Sequence, residues 1–146
     1  MTLITDPLVH EVIGCAIAVH RALGAGLLEG VNERCLALEF RHRQISFASQ
    51  VVVPVRYRDT DAGCGYRVDF LVEGRLAVEV KSVERLLPVH TAQLLTYVHL
   101  LDVPQGLLLN FNGERLKDGI KSVINQRHAE FAPRSHETSS DALGEE

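Results

Sequence analysis

The stretch that decides the fold is residues 66–81, which read YRVDFLVEGRLAVEVK. Apolar and polar residues alternate on both sides of a Glu-Gly pair, and this pattern predicts two half-buried strands joined by a tight turn. The two apolar sets must share a face of the hairpin, because a shift of one residue would turn one set toward solvent. That requirement predicts a loop with an odd number of residues. The apolar sets are Val68, Phe70 and Val72 before the turn, and Leu76, Val78 and Val80 after it.

A three-residue loop over 72–74 meets this requirement, with Gly74 in the left-handed conformation. This register places Arg67 opposite Glu79. It predicts that Asp69, Glu79 and Lys81 project from one face, with Asp69 and Glu79 as diagonal neighbours whose backbones lie about 7–8 Å apart.

These three side chains point to phosphate chemistry. Two carboxylates at such a distance can converge on one hard cation, and Mg²⁺ favours one or two carboxylates together with waters. An ammonium at Lys81 can orient a water or stabilise negative charge on a phosphate. The alternative interpretation is that Glu79 and Lys81 are solvated strand residues and that Glu79 pairs with Arg67. Against it, Asp, Glu and Lys are poor strand formers, yet they stand together here in otherwise β-rich strands.

The flanking segments predict the order ααβββαβ followed by a terminal element. Apolar stripes indicate helices over 8–23, 28–43 and 88–101. Strands are predicted over 46–57, 65–72, 75–82 and 106–111, with an edge or a bulge at Pro54, and 120–125 favours a strand over a short helix. The order predicts an α/β or α+β domain in three layers, with one mixed sheet flanked by helices.

The composition is that of one soluble globular domain with a polar tail. The chain has 146 residues, of which 46% are hydrophobic and 23% are charged, and no apolar run reaches the ~18–20 residues of a membrane span. The start of the chain has no signal-peptide pattern, and three cysteines without a CxxC pair argue against a disulfide framework or a zinc site. We therefore expect a cytoplasmic protein with a folded domain over 1–132 and a disordered acidic tail over 133–146.

The charge limits the partners. The formal net charge is −4, and residues 133–146 hold one arginine against four acidic residues, so the rest of the chain is nearly neutral. This is not the basic balance of a tight, non-specific nucleic-acid binder. It does not exclude an enzyme whose acidic site acts on nucleic acid through a metal ion.

The spacing D-x9-E-x-K on a hairpin between helices resembles the core of the PD-(D/E)XK nuclease superfamily. Other segments resemble the small bacterial proteins named for a GxxExxY motif, and the resemblance covers roughly residues 8–126. It implies a restriction-endonuclease-like fold. The chain departs from the motif at Asn32, which stands where the family has tyrosine. The matching segments are residues 24–33, Arg67-Val68-Asp69, Glu79-Val80-Lys81, residues 88–97, Asn110-Phe111 and residues 116–120.

The resemblance also implies further site residues. A helix before the sheet contributes a carboxylate in such nucleases, and we favour Glu33 over Glu29, four residues earlier on the same helical face. An acidic solvated helix face is the alternative. Gln93 and Tyr97 match a Q-x-x-x-Y pattern of related nucleases, in which the glutamine lies beside the catalytic lysine. Without the resemblance they would be a polar helix residue and a core aromatic.

The leading hypothesis is a Mg²⁺-dependent phosphodiesterase that acts on DNA, with Mn²⁺ able to substitute. The alternative is a nucleic-acid-binding or protein-interaction module that retains the fold without cleavage. The charge balance favours a partner protein that delivers DNA, or a homodimer that forms a groove, and no membrane partner is expected. The candidate residues are Asp69, Glu79, Lys81 and Gln93 for catalysis, Asp69, Glu79 and Glu33 for the metal, and Glu29, Tyr97 and Arg67 in support.

Overall fold

The architecture follows the predicted order, with one small hairpin added. A computed structural model describes residues 6–63 and 65–129 of the chain, so the predicted tail over 133–146 lies outside the described residues. Within them, a 3-10 helix over Leu116–Gly119 precedes the last strand. The other elements are α1 (Pro7–Leu23), α2 (Glu29–His42), β1 (Phe47–Val52), β2 (Arg56–Tyr57), β3 (Thr60–Asp61), β4 (Arg67–Val72), β5 (Leu76–Lys81), α3 (Pro88–Leu101), β6 (Gln105–Asn110) and β7 (Ile120–Ile124).

The main sheet has five strands in the order β1-β4-β5-β6-β7, and β2 pairs with β3 separately. The β5–β6 pair is parallel and the other neighbours are antiparallel, so the sheet is mixed. Helices α1 and α2 pack on one face and α3 packs on the other, each over its own apolar core. The predicted three-layer α+β domain is therefore confirmed.

The first helix begins and ends as its sequence predicts. The side chain of Asp6 accepts hydrogen bonds from the N–H groups of Leu8 and Val9, and Gly24 ends the helix with φ 76°. Asp6 also forms an ion pair with Arg75 of the hairpin loop at 2.9 Å, which fixes α1 against the sheet. Across the described residues, no helix has the length and apolarity that crossing a membrane requires.

Strand β1 is shorter than predicted. The expected strand over 46–57 ends at Val52, and only Arg56 and Tyr57 resume strand structure, in the small hairpin. Pro54 lies in the interruption, where its missing N–H cannot take part in a ladder. β1 is an edge strand, as Pro54 suggested, and residues 120–124 form the strand that the sequence favoured.

The register of the central hairpin differs from the predicted one by two residues. Val72 pairs with Leu76 and Phe70 pairs with Val78, so the loop is 73–75 rather than 72–74. The loop is odd in length, as expected, because both registers keep the apolar residues together. The observed register adds one more buried apolar pair, since Val72 and Leu76 are 0% and 1% exposed. Its turn uses positive φ at two residues, Glu73 (55°) and Gly74 (68°).

A single apolar face along β4 was also a wrong expectation. Phe70 and Val72 pack under α1 and α2, whereas Val68 belongs to the core beneath α3. The neighbouring strand changes face at the same level, since Phe47 packs with the first core and Val51 with the second. The change falls at Asp69 and at Gln50 of β1, whose φ of 51° is not that of a regular strand.

Gly106 lets α3 approach the sheet closely. A Cβ at this position would lie 2.8 Å from Cγ of Leu94 and 2.9 Å from Cγ1 of Val98. Both neighbours are buried in the α3 core, so they have little room to move.

We therefore expect Gly106→Ala to lower the free energy of unfolding by about 1–3 kcal/mol through overpacking. Chemical denaturation measures the change. Gly30→Ala is the matched control, because a Cβ there meets nothing within 4 Å and alanine is the better helix former by roughly 0.5–1 kcal/mol. Equal stability of Gly106→Ala and wild type would show that α3 is not packed this tightly.

Candidate active site

Two carboxylates hold β4 and β5 together where their backbone pairing stops. The N–H of Asp69 donates to Oε1 of Glu79 at 2.8 Å, and the N–H of Val80 donates to Oδ2 of Asp69 at 2.8 Å. Each acidic side chain thus replaces a ladder bond of the opposite strand. The two residues lie across from each other and not diagonally, because of the two-residue difference in register.

Glu79 is an acid in an unfavourable environment. It is 8% exposed. Burial raises its pKa to about 7, with the charge of Asp69 adding to the rise, while the Asp69 N–H and the Lys81 ammonium oppose it. Nζ of Lys81 lies 3.8 Å from Oε2 of Glu79. One lysine does not offset the surrounding acidic charge, so the site favours an additional cation.

A glutamine connects the carboxylate of α2 to this pair. Nε2 of Gln50 lies 2.6 Å from Oε2 of Glu33 and 3.1 Å from Oδ1 of Asp69. Burial raises the pKa of Glu33, and the Gln50 hydrogen bond opposes this rise, whereas the charges of Asp69 and Glu29 add to it. Glu33 therefore lies within electrostatic reach of the hairpin carboxylates. No motif or spacing in the sequence points to Gln50, which is one polar residue in an edge strand.

Helix α3 contributes Tyr97 and Gln93. Tyr97 is 5% exposed. Burial raises its pKa, followed by the charges of Glu79, Tyr66 and Asp69, while a hydrogen bond with Gln93 lowers it. The rings of Tyr66 and Tyr97 are 5.9 Å apart. Tyr97 is therefore within electrostatic reach of the carboxylate pair.

Arg67 does not lie opposite Glu79, where the predicted register placed it. Its predicted partner was Glu79, but the observed register places Arg67 opposite Val52 of β1, and its guanidinium approaches the carbonyl oxygen of Gln50 at 3.5 Å. The cationic neighbour of Glu79 is Lys81. The interpretation of Glu79 as a surface acid paired with Arg67 is therefore wrong, and its burial also excludes a solvated position.

Polar contacts fix the segments that leave the site. The Asn110 side chain accepts from the N–H of Val83 and donates to its carbonyl oxygen, at 3.0 and 2.9 Å. The hydroxyl of Ser82 donates to the carbonyl of Leu27, just before α2. These bonds hold the end of β5, the start of α2 and the end of β6 in one arrangement.

The acidic groups fit a hard divalent cation in part. Asp69 and Glu79 supply the carboxylate oxygens that Mg²⁺ and Mn²⁺ prefer, and one or two carboxylates with waters suffice for Mg²⁺. Within residues 6–63 and 65–129, no three acidic, histidine or cysteine side chains are arranged to hold one metal ion. Gln50 lies between Glu33 and Asp69 and donates to both carboxylates, and Glu29 acts on Glu33 and Glu79 by its charge.

A family model of the PD-(D/E)XK nuclease superfamily matches residues 6–123. The chain belongs to this superfamily. The match runs from the N-cap of α1 into β7 and includes the Asp69, Glu79 and Lys81 positions. Searches of curated proteins and of solved structures gave no match.

Asn32 of this PD-(D/E)XK domain is a buried polar residue whose side-chain amide lacks hydrogen-bond partners among the described residues. It is 1% exposed. A buried amide without partners destabilises a fold by about 1–3 kcal/mol.

Asn32→Leu is expected to raise the free energy of unfolding by roughly 1–3 kcal/mol. Leucine has the same branching and number of heavy atoms but no polar group to desolvate. Thermal or chemical denaturation of the two proteins measures the difference. A clear loss of stability would show instead that the Asn32 amide has a partner in solution.

The raised pKa of Glu79 predicts that the stability of the folded protein depends on pH. Between its ordinary pKa of 4.5 and its folded pKa of about 7, the unfolded chain has released the proton that the folded protein keeps. The free energy of unfolding contributed by this group therefore falls as pH rises through this window, by at most about 1.4 kcal/mol per pH unit. Urea denaturation in chelator measures it.

Glu79→Gln removes this titration, so its stability relative to wild type should grow from pH 4.5 to pH 7. Glu73→Gln, in the exposed loop of the same hairpin, is the control and should keep the wild-type slope. Parallel curves for wild type and Glu79→Gln would contradict the raised pKa.

Proposed function

We propose that this PD-(D/E)XK protein is a divalent-cation-dependent nuclease that hydrolyses phosphodiester bonds of DNA. The observation that carries the proposal is the pair Asp69 and Glu79, each locked by the other strand's backbone N–H, with Lys81 beside them. An arrangement of two acids and an amine in a partly buried site is costly for the fold alone. Such an arrangement suits a site in which the carboxylates bind a cation and the ammonium contacts a phosphate.

The cation would be held by Asp69 and Glu79, with Glu33 turned toward them from α2. Their oxygen ligands suit Mg²⁺, and Mn²⁺ should substitute. When bound, such a cation supplies Lewis-acid activation of water and of the phosphate.

The protein's own groups then position the reactants. Lys81 is largely buried, with 18% of its side chain exposed, so its ammonium is a directed donor that can orient the attacking water or stabilise charge on a phosphate oxygen. The charges of Glu79 and Asp69 act on Tyr97 of α3, which forms a hydrogen bond with Gln93. Gln93 is proposed to lie beside Lys81, with Tyr97, Glu29 and Arg67 in supporting positions.

The charge and the motifs support proposals about the partners, the location and the family group of the protein. The nearly neutral domain favours a second copy or a partner protein that completes a DNA-binding groove. We further propose that the chain is a cytoplasmic protein of the GxxExxY group, with its folded domain over 1–132 and Asn32 replacing the group's tyrosine.

Nicking of plasmid and cleavage of single-stranded DNA, with Mg²⁺, Mn²⁺ or chelator, test the proposal. Asp69→Asn and Glu79→Gln should abolish cleavage, because a hard cation loses an anionic ligand. Lys81→Ala should spare metal binding and slow cleavage by about 10²–10³-fold, as expected for one donor aimed at developing charge.

Glu73→Gln is the matched control, since it removes a carboxylate from the far end of the same hairpin, and it should cleave like wild type. If wild type binds DNA but cuts no faster than Asp69→Asn, the non-catalytic binding module is the correct account. If it neither binds nor cuts, the protein-interaction module is the correct account.

A further inference from the structure

Gln50 has a backbone conformation that its position in the sheet does not explain. It lies in the middle of β1 with φ 51°, a left-handed conformation that residues other than Gly, Asn and Asp rarely adopt. The ladder with β4 is paired on either side of it, at Ser49↔Phe70 and Val51↔Val68, but not at Gln50 itself. Backbone outliers of this kind concentrate at functional sites.

The side chain shows what this conformation achieves. One amide nitrogen lies within hydrogen-bond distance of a carboxylate on a helix and a carboxylate on a strand, Glu33 at 2.6 Å and Asp69 at 3.1 Å. The two acids repel each other, and the amide donates one hydrogen to each. Gln50 therefore connects Glu33 of α2 directly to Asp69 of the hairpin.

A regular strand would not make this connection. The outward alternation of β1 changes sides at Gln50, since Phe47 packs under α1 and α2 while Val51 packs under α3. Gln50 thus lies at the level at which β1 turns from the core under α1 and α2 to the core under α3. Asp69 lies at the same level on β4. The irregular backbone and the bridging amide belong to one feature.

We propose that Gln50 is a positioning residue of the cation site, which keeps Glu33 of α2 close to Asp69 so that Glu33 can join the two hairpin carboxylates as a third ligand when a cation binds. This inference rests on the proposed function, in that it assumes a cation at Asp69 and Glu79. Removing the amide frees Glu33 to turn toward solvent, away from the other acids. The cation then loses a ligand although every acidic residue is still present.

Calorimetric titration of the full chain with Mn²⁺ tests the proposal without relying on cleavage. Gln50→Gly removes the amide and accepts the left-handed backbone without strain, and it should weaken Mn²⁺ binding by about tenfold, as is usual when a partner of a metal ligand is lost. Gln44→Gly is the matched control, because Gln44 is also an exposed glutamine with positive φ (60°), in the turn after α2. It should bind Mn²⁺ like wild type.

A second variant separates the backbone from the side chain. Gln50→Asn keeps an amide and tolerates positive φ, but its side chain is one methylene shorter and cannot span both carboxylates. It should also weaken Mn²⁺ binding. Melting curves in chelator confirm that both variants are folded.

A double-mutant cycle shows whether Gln50 acts through Glu33. Glu33→Gln alone should weaken Mn²⁺ binding, and adding Gln50→Gly should weaken it little further, because the residue to be positioned is already gone. Independent, multiplying losses would overturn the inference. So would unchanged binding by Gln50→Gly, or tighter binding, which would mean that the amide obstructs the cation.

The outcomes separate this inference from the proposed nuclease activity. If wild type binds Mn²⁺ and cuts DNA while Gln50→Gly binds as well as wild type, the positioning role alone is overturned. If Gln50→Gly and Glu33→Gln lose affinity in the expected way but wild type cuts no DNA, the role stands and the nuclease function falls. If wild type binds no Mn²⁺, both are overturned.

Discussion

The reciprocal hydrogen bonds between β4 and β5 constrain the rest of the site. Asp69 and Glu79 each accept an N–H that would otherwise pair across the ladder. Their positions are therefore set by the backbone itself and not by flexible side-chain contacts. This arrangement places negative charges close together next to a buried core. Burial and the charge of Asp69 therefore raise the pKa of Glu79. The Lys81 ammonium and the hydrogen bonds from the Gln50 amide partly stabilise these carboxylates.

The fold was largely predictable from periodicity. The helix starts at Asp6-Pro7 and Pro88, and the alternation on both sides of Gly74, indicate elements that depend on local sequence. The hairpin register was not predictable in the same way, because two registers that differ by two residues keep the same residues together. The buried Val72–Leu76 pair decides between them, and its burial depends on α1 and α2 packing above it.

The candidate residues could be proposed from the sequence where the motif is local, but their arrangement could not be predicted where it depends on β1. Asp69, Glu79 and Lys81 follow from one hairpin, and Glu33 and Gln93 from the family resemblance. The carboxylate geometry, the Gln50 bridge and the displacement of Arg67 depend on pairing between strands far apart in sequence. No alternation pattern in β1 signals a left-handed glutamine, since a polar residue there is ordinary for an edge strand.

The same glutamine has a consequence for the outer border of the sheet. β1 is the terminal strand, and a regular edge offers a continuous row of unpaired N–H and C=O groups to another chain. Gln50, with φ 51°, interrupts this row within the six residues of β1. Only three consecutive residues before it and two after it keep the regular strand direction. The remaining template is too short for stable pairing with a foreign strand, so the irregularity at Gln50 protects this edge of the sheet against edge-to-edge aggregation.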